Sequence, residues 1–591
     1  MKLVETFGDH KTYQASFTTE VVNHIKKLYD FELQNSHLNC EYYQDTKDKS
    51  KCNIVDMVDL HQVFYQDMKT RPEFLIKYKK MMTHLLREIF PDEHWVVMQS
   101  MPNIRFHLPH TICVPPHRDI DEGEFRTAHP ENEHNFLLTC TPMQDTNAMY
   151  IESSPQKADY KLLNMSENLL LHFNGNKCIH GNRINQTDKT RVSIDFRAIT
   201  LENMLKYKND GIIRTTQPRD YRDDIHLNVG GYYQIVRLKE SILQMQPSFS
   251  MEEANAAKDY ILSGGFLTEY RHTRELEARL AEFIGIKHCF MVSNGTLAIS
   301  AALLAVGITK DSKVLVPTYT MVATANAVRL LGATPVFVDV SESTNTISPE
   351  IVRAHIQEVD AVIHVSLNNR VKNLEEIVSI CKQYKKPLVE DAAQSLGSTY
   401  KGQALGTFGD IATFSFSSPK IISMGQGGCI VTNNDELAVK IRRIKDFGRD
   451  EPGVEKYTAF GVNLKYTDLQ SVVGLEQLKK LPARVEAMSR IWMEYYDKLG
   501  DHMITKTDNG WIPWFIEIFV DDRDSLAKKL RDIGIGVREV YPPIHAQPAY
   551  AQAISLPIAA KIRERGLWLP SWSSLNTKMV EDICNCIKLL L

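Results

Sequence analysis

Residues 389–394, VEDAAQ, and residues 412–420, ATFSFSSPK, decide the fold of the second half of this chain. The first stretch continues an apolar run that begins at residue 387, and the second opens with another, so each predicts a buried strand. Asp391 and Lys420 then lie just beyond the carboxyl ends of strands, where open α/β sheets bind their ligands. A lysine that holds an aldehyde covalently and an acid beside a pyridinium nitrogen are the groups that pyridoxal phosphate requires. The combination favours a cofactor site over an ordinary surface lysine and strand-end aspartate.

The sequence around this pair alternates short apolar strands with amphipathic helices. The predicted strands span residues 313–316, 335–340, 361–365 and 387–390, and one of the predicted helices spans residues 273–283. This alternation is typical of βαβ units and predicts an α/β fold with a mostly parallel sheet.

Three further motifs appear in order with Lys420. Residues 293–296, SNGT, open an Ala/Leu-rich helix whose first N–H groups would face an anion. Residues 316–321, VPTYTM, follow, and residues 425–428, GQGG, form a glycine-rich turn after the lysine. With these motifs, residues 247–591 resemble the DegT-type sugar aminotransferases, which are fold-type I pyridoxal phosphate enzymes that aminate keto or aldehyde groups of sugars and cyclitols.

The resemblance implies a set of cofactor contacts. These are Lys420 as covalent anchor and general acid/base, Asp391 at the pyridinium nitrogen, Gln394 near the phenolic oxygen, Met321 over the ring, and Gly295, Thr296 and Ser415 at the phosphate. Met321 departs from the family, which normally has an aromatic side chain there. Related enzymes with a histidine in place of the lysine are dehydratases, so Lys420 favours transamination, and glutamate is the expected amino donor.

Residues nearer the carboxyl terminus are implied to complete this site. Asn463, in residues 461–463, is implied to contact the cofactor phosphate of a neighbouring subunit, so a homodimer or a higher homo-oligomer is expected. Arg538 and His545 lie where the family shapes its substrate pocket.

A second group of polar residues lies in the first third of the chain. His117 and Asp119 are two residues apart, so in an extended segment both face one side and can bind one ion. His180 adds a second imidazole, and two histidines with one carboxylate leave open positions, as is typical of non-haem Fe(II) oxygenases. Arg191 and Ser193 share a face of the next predicted strand, where a guanidinium suits the far carboxylate of a dicarboxylate.

An ion site followed by an Arg-x-Ser strand is similar to the Fe(II)/2-oxoglutarate dioxygenases. The resemblance implies a double-stranded β-helix, a jelly-roll-like fold, with His117, Asp119 and His180 as iron ligands and Arg191 and Ser193 as the 2-oxoglutarate site. The alternative is a barrel without catalytic activity, kept as a binding or dimerisation module. Zinc is a weaker rival because no cysteine pair stands at ligand spacing.

Short alternating runs separated by polar turns predict the strands of this barrel. They span residues 95–98, 136–139, 149–152, 169–173 and 191–196, and amphipathic helices are predicted over residues 19–29 and 73–89. The predicted domains are a dioxygenase-like domain at residues 1–200, a linker at 201–245, a large cofactor-binding domain at 246–480 and a small α/β domain at 481–591.

The composition is that of a globular protein with several domains. A chain of 591 residues is too long for one ordinary domain. Its net charge of −4 offers no electrostatic reason to bind nucleic acid or a membrane surface. The ten cysteines are dispersed, and the sequence MKLVE at the start does not resemble a signal peptide, so a cytoplasmic location with reduced thiols is expected.

The two chemistries together predict a two-step enzyme of amino-sugar or aminocyclitol biosynthesis. An iron-dependent dioxygenase can oxidise an alcohol carbon to a carbonyl, and an aminotransferase needs a carbonyl to aminate. The expected substrate is a sugar or cyclitol, either free or linked to a nucleotide or phosphate. Two alternatives stay open: hydroxylation and amination at different positions of the sugar, or a working aminotransferase joined to a non-catalytic scaffold or binding domain.

Overall fold

The computed structural model describes residues 2–15, 17–29, 64–65, 67–68, 70, 72–114, 116–119, 129–209, 229–504 and 510–591. The chain divides into two compact units, which are Met1–Ser241 together with Asn585–Leu591, and Ile242–Cys584. In these described parts, no helix has both the length and the apolar character that crossing a membrane requires.

The first unit is built mainly from antiparallel strands. Its strands are β1 Lys2–Phe7, β2 His10–Gln14, β3 Trp95–Gln99, β4 Asn103–His107, β5 His134–Thr139, β6 Met149–Ile151, β7 Lys161–Leu163, β8 Leu169–Phe173, β9 His180–Asn182, β10 Arg191–Thr200 and β11 Tyr233–Arg237. Its helices are α1 Thr18–Tyr29, α2 Glu73–Ile89 and α3 Leu201–Asn209.

Two antiparallel sheets form this unit. The larger has eight strands in the order β1-β2-β8-β5-β10-β3-β11, with β4 also paired to β10. The smaller has the order β7-β6-β9. Apolar residues of α1 and α2, such as Val22 and Leu85, pack against buried residues of the larger sheet, such as Ile194. The structure therefore shows antiparallel sheets where the sequence predicts a barrel, and the double-stranded β-helix itself stays a prediction.

Strand β10 contributes most directly to a candidate site. It pairs with β4, β5 and β3 along its length. Its even-numbered residues from Val192 to Ala198 enter the apolar core, so its odd-numbered residues face the other side. Those residues are Arg191, Ser193, Asp195 and Arg197.

The predicted linker differs from the structure at two places. Helix α3 occupies its first nine residues, and β11 pairs with β3 from Tyr233 to Arg237. The backbone of β11 is therefore hydrogen-bonded to β3 as the last strand of the larger sheet, and Tyr233 is fully buried. Residues 210–228 of the predicted linker lie outside the described residues.

The second unit alternates strands and helices. Its strands are β12 His288–Val292, β13 Lys313–Pro317, β14 Thr334–Val338, β15 Ala361–Val365, β16 Leu388–Asp391, β17 Thr399–Tyr400, β18 Gln403–Ala404, β19 Ile411–Ser415, β20 Gly428–Thr432, β21 Ile516–Phe519, β22 Arg538–Glu539 and β23 Gly566–Leu569. The helices after α3 are α4 Met251–Leu262, α5 Arg271–Ile284, α6 Gly295–Ala305, α7 Val322–Leu330, α8 Pro349–His355, α9 Leu374–Gln383, α10 Asp435–Lys445, α11 Asp468–Lys479, α12 Leu481–Leu499, α13 Arg523–Asp532, α14 Pro557–Arg565 and α15 Thr577–Leu590.

A seven-stranded sheet is the centre of this unit. Its order is β12-β20-β19-β16-β15-β13-β14, and among these described strands β20 runs opposite to the other six. The mostly parallel sheet is confirmed, and β15 has the predicted bounds. A second sheet, β21-β23-β22, is antiparallel. Because the carboxyl ends of β16 and β19 meet at one edge, Asp391 and the turn that carries Lys420 are brought together there.

Candidate active sites

Lys420 lies in the turn that follows β19. Burial lowers the pKa of its amine to about 8, and the negative charge of Asp391 acts against this effect. An amine with such a pKa is partly neutral near physiological pH, and a neutral amine can bond to an aldehyde. The environment of Lys420 therefore suits the covalent anchor predicted from the sequence.

Asp391 ends β16, and its side chain is buried. Thr324 Oγ1 donates a hydrogen bond to its Oδ2 (2.7 Å), and the Ala393 N–H donates to its Oδ1 (3.2 Å). Burial raises the pKa of this carboxyl although Thr324 and Lys420 act against it. A positively charged partner stabilises the ionised form of a buried carboxylate, and a protonated pyridine nitrogen is such a partner.

The start of helix α6 offers backbone donors. Asn294 caps the helix, and its Oδ1 accepts a hydrogen bond from the N–H of Leu297 (2.9 Å). The N–H groups of Gly295 and Thr296 lie in the first turn, where the helix itself provides no acceptor. These groups and the positive end of the helix can bind a phosphate.

Ser415 and Gly428 lie close to this helix start. A Cβ atom on Gly295 would lie 2.9 Å from the Cβ of Ser415, and one on Gly428 would lie 2.6 Å from the backbone carbon of Asn294. Both approaches require glycine, and they place a serine hydroxyl beside the backbone donors. This arrangement, together with Asp391 and Lys420, fits pyridoxal phosphate.

Gln394 is oriented by Asn368, a residue that the sequence analysis missed. The Asn368 N–H donates to Gln394 Oε1 (2.7 Å), so the NH₂ group of that amide is the one that can donate to a cofactor oxygen. Asn368 has φ +53° and also bonds the backbone of Trp514 and Phe515. The Asn-Asn sequence at 368–369 is the signal that could have revealed it, because asparagine tolerates left-handed backbone.

Two predicted contact residues are exposed. Met321 is 45% exposed, and its Sδ accepts a hydrogen bond from the Ala323 N–H (3.0 Å) at the start of α7. Asn463 is exposed, and its Oδ1 accepts a hydrogen bond from the Lys465 N–H (3.2 Å). The ring contact of Met321 and the contact of Asn463 with a neighbouring subunit stay predictions.

The two residues predicted to shape the substrate pocket have different surroundings. The guanidinium of Arg538 is exposed and lies 5.8 Å from the ring centre of Tyr541 and 5.5 Å from that of Trp568. His545 is buried, and its Nδ1 lies 2.7 Å from Thr318 Oγ1. Arg538 can therefore reach a ligand, whereas His545 is held in place by the loop after β13.

The profile of the DegT/DnrJ/EryC1/StrS aminotransferase family matches residues 248–588. The chain belongs to this family. The GDP-perosamine synthase of Vibrio cholerae is 32% identical over 356 residues, which cover 58% of this chain and 97% of the relative. The UDP-2-acetamido-2-deoxy-3-oxo-D-glucuronate aminotransferase of Pseudomonas aeruginosa is 34% identical over 318 residues, which cover 52% and 88%.

Solved structures of aminotransferases share this fold. The aminotransferase TlmJ from Streptoalloteichus hindustanus is 29% identical with a TM-score of 0.57, covering 59% of this chain and 98% of its own. A DegT DnrJ EryC1 StrS aminotransferase from Brucella abortus is 29% identical with a TM-score of 0.55, covering 57% and 95%. The region from residue 248 onwards is therefore a fold-type I, pyridoxal phosphate-dependent sugar aminotransferase, as predicted.

The other predicted site lies outside the DegT-family match, in the first unit. The backbones of His117 and His180 exchange two hydrogen bonds of 2.9 Å each, and the Asp119 N–H donates to the carbonyl of Gly175 (2.9 Å). The two imidazole rings lie 4.5 Å apart, measured between their centres. One ligand atom from each of the three predicted residues lies within 4.8 Å of the others. The structure therefore brings the predicted iron ligands together.

His180 directs one ring nitrogen to this group. Its Nδ1 lies 3.1 Å from the carbonyl of Cys178, to which it can donate, and this leaves Nε2 as the ligand atom. Asp119 Oδ1 lies 4.0 Å from that Nε2 and 3.4 Å from Nε2 of His117. Burial lowers the pKa of His180 to about 4, so its imidazole is neutral, as metal binding requires. This donor set fits Fe(II).

Asp119 is held by two residues that the sequence analysis missed. Asn135 Nδ2 donates to its Oδ2 (2.7 Å), and Arg197 Nη2 donates to its Oδ1 (3.2 Å). Although burial opposes ionisation, Arg197 and His117 hold the pKa of Asp119 well below its usual range. Asp119 is therefore ionised, with both oxygens fixed.

A pocket opens at this group. Its lining includes Arg105, Asn135, Asn182, Arg191, Asp195 and Arg197. Apolar side chains, among them Leu137, Met149 and Phe173, also line the pocket, so polar and apolar groups together surround the candidate metal site.

Arg191 lines this pocket, and both Arg191 and Ser193 of strand β10 have unsatisfied polar atoms. Arg191 is 1% exposed, and its Nη1 donates to two neutral groups, the carbonyl of Asn147 (3.2 Å) and the sulfur of Met143 (3.8 Å). Within the described residues, Arg191 Nε and the buried Ser193 Oγ have no hydrogen-bond partner. A buried guanidinium and hydroxyl in this state fit a carboxylate ligand.

Proposed function

We propose that the chain is a bifunctional enzyme of amino-sugar or aminocyclitol biosynthesis. The first unit oxidises a sugar alcohol to a carbonyl with Fe(II), 2-oxoglutarate and O₂, and the second unit replaces the carbonyl oxygen with an amino group. On this proposal the antiparallel sheets of the first unit are a double-stranded β-helix.

The shared pocket of the first unit is the observation that carries the oxidative half. His117, Asp119 and His180 converge there, and Arg191 lines the same pocket with its buried charge next to neutral partners. The charge of Asp195 acts on Arg191, and a cosubstrate carboxylate would add a direct ion pair, since burying a cation without one is costly. The ion site suits the oxoacid end of 2-oxoglutarate, and the nearby guanidinium suits its far carboxylate. A scaffold without catalytic activity would need neither group.

The residues of the first unit divide into two tasks. His117, Asp119 and His180 hold the ion and leave coordination positions for a chelating oxoacid. Arg191 and Ser193 bind the far carboxylate and orient the cosubstrate. When bound, Fe(II) supplies the O₂-dependent oxidation of the substrate C–H bond.

The residues of the second unit bind the cofactor and move protons. Lys420 moves a proton at the α-carbon of the amino donor, and Asp391 holds a proton on the pyridine nitrogen. Gln394 donates to the phenolic oxygen, the cradle of Gly295, Thr296 and Ser415 binds the phosphate, and Asn463 reaches the site of a second copy in a homodimer. When bound, pyridoxal phosphate supplies an electron sink.

The relatives and the chemistry support particular substrates. The names of the V. cholerae and P. aeruginosa relatives contain GDP- and UDP-linked sugars, so we propose a nucleotide-linked sugar. With glutamate as donor, transamination releases 2-oxoglutarate, which the first unit consumes. The sum is alcohol plus glutamate plus O₂, giving amine, succinate, CO₂ and water. A trace of 2-oxoglutarate is therefore enough to start the reaction, because each transamination regenerates it.

The test uses the full chain, loaded anaerobically with Fe(II) and pyridoxal phosphate. It receives glutamate, a trace of 2-oxoglutarate and a panel of nucleotide-linked sugars, and O₂ is then admitted. Succinate is measured together with the mass of the sugar product. We expect equal amounts of succinate and amino sugar, with the alcohol oxygen replaced by nitrogen, and neither product from His117→Ala.

Other outcomes would replace this proposal. A product that gains a hydroxyl oxygen and an amine at different carbons indicates separate positions of attack. Amination of added keto sugars by a chain that binds no iron indicates a scaffold joined to an aminotransferase.

A further inference from the structure

We infer that Arg197 is a positioning residue that fixes the metal-binding carboxylate of Asp119. The inference rests on the proposed iron site and assigns a task that differs from that of Arg191, although both side chains leave the same face of β10.

Arg197 contacts three carboxylates at once. Its Nη2 lies 3.2 Å from Asp119 Oδ1, its Nε lies 3.4 Å from Glu133 Oε2, and its Nη1 lies 3.6 Å from Asp195 Oδ2. Nη1 also donates to the hydroxyl of Tyr232 (3.1 Å). The side chain of Arg197 is only 9% exposed, so these contacts are shielded from water.

The far end of this network is itself anchored. Tyr233 donates from its hydroxyl to Glu133 Oε1 (2.5 Å), and His129 Nδ1 lies 3.3 Å from Glu133 Oε2. Glu133 is buried, and Tyr233 belongs to β11. The guanidinium of Arg197 is therefore held on the side away from Asp119, so it can define where the Asp119 oxygen lies.

The two arginines of β10 have opposite surroundings. Arg191 has neutral partners and can accept an anionic ligand, whereas the charge of Arg197 is already matched by Asp119, Glu133 and Asp195. A dicarboxylate ligand would have to displace those carboxylates to reach Arg197. The geometry therefore excludes Arg197 as the cosubstrate anchor and leaves it the task of placing Asp119.

Two effects of Arg197 on a bound cation compete. Its positive charge repels the ion, whereas its planar guanidinium fork holds the Asp119 oxygen in position before the ion binds. Partners of metal ligands typically contribute 10- to 100-fold to metal affinity, so we expect the fork to outweigh the repulsion. Arg197→Lys separates the two, because it keeps the charge and loses the fork, and Arg197→Met loses both.

The experiment titrates Co(II), as an air-stable probe, into the full chain loaded with pyridoxal phosphate. The dissociation constant and the visible spectrum of Co(II) are measured. We expect the dissociation constant to rise about 10- to 100-fold in both Arg197→Lys and Arg197→Met, with an altered Co(II) spectrum. Arg87→Lys, in helix α2, is the matched control; Arg87 Nε donates to the carbonyl of Leu238 (2.7 Å), and the variant should bind as the unchanged chain does.

Folding is monitored by circular dichroism. Should either Arg197 variant fail to fold, Tyr233→Phe removes the hydroxyl that donates to Glu133 and also lies 3.3 Å from His129 Nδ1, and we expect about a 3- to 10-fold weaker affinity from it. An unchanged dissociation constant in Arg197→Lys, or tighter binding in Arg197→Met, overturns the inference alone. Failure of the unchanged chain to bind Co(II) overturns the proposed iron function, and this inference with it.

Discussion

Replacing Arg191 tests the proposed cosubstrate site most directly. The guanidinium is 1% exposed, so hydrogen bonds from it to a carboxylate are protected from water. Each hydrogen bond to a charged group contributes about 1.5–3 kcal/mol. Loss of two such bonds in Arg191→Met costs about 3–6 kcal/mol, and because each 1.4 kcal/mol is tenfold, the KM for 2-oxoglutarate should rise about 100- to 10,000-fold. Arg191→Lys can keep one bond, so about 10- to 100-fold is expected.

The assay measures succinate as a function of 2-oxoglutarate concentration, with the sugar substrate held constant. Amination of a supplied keto sugar by the same preparation checks that the aminotransferase unit is intact. Arg183→Met is the matched control, because Arg183 is exposed, stacks 4.8 Å from the ring centre of Tyr150 and does not line the pocket. An unchanged KM in Arg191→Met would refute the assignment.

The other predictions concern the second unit. Lys420→Ala should abolish amine formation, and succinate should cease once the added trace of 2-oxoglutarate is spent; product analysis by mass spectrometry checks both. Because the pKa of Lys420 is lowered to about 8, the rate of cofactor loading onto the cofactor-free chain should rise with pH and level off above about 8. Asp391→Asn should move this midpoint lower, since the charge of Asp391 raises the lysine pKa, and the visible absorbance of the bound cofactor reports it. Asn368→Ala should destabilise the unit by about 3–5 kcal/mol, because it leaves buried N–H groups unsatisfied in a left-handed turn. Asn373 is the comparison: it is exposed and also has φ +53°, but its side chain makes no hydrogen bond to the helix that it precedes. Asn373→Ala should therefore lower the free energy of unfolding in urea by only about 1–2 kcal/mol.

The sequence indicates the chemistry of both sites because each motif lies within one or two neighbouring strands. Asp391 and Lys420 follow strands that a run of apolar residues identifies, and the structure places those strands side by side. His117 and Asp119 are close in sequence, and one further backbone pairing brings in His180. Local pattern was sufficient for these residues.

The residues that were missed depend on contacts between distant segments. Arg197 meets Asp119 only because β10 is aligned with its neighbours in one register, and the predicted strand ended one residue before it, at Phe196. Asn368 bonds to residues 514–515, which no local pattern links to it. Alternation predicts the face on which a side chain lies, but not which chain segment faces it.

The alternation of strand β10 also limits how this sequence can change over evolution. Insertion or deletion of one residue before Arg191 would turn its four polar side chains towards the apolar core and expose Val192 and Ile194. Point substitutions change one polar group at a time, whereas a single-codon insertion or deletion would displace Arg197, which bonds Asp119, and Arg191, the proposed anion-binding residue, together. New specificity should therefore arise by point substitutions that keep the length of β10. Insertions and deletions should be found in the loops on either side of the strand.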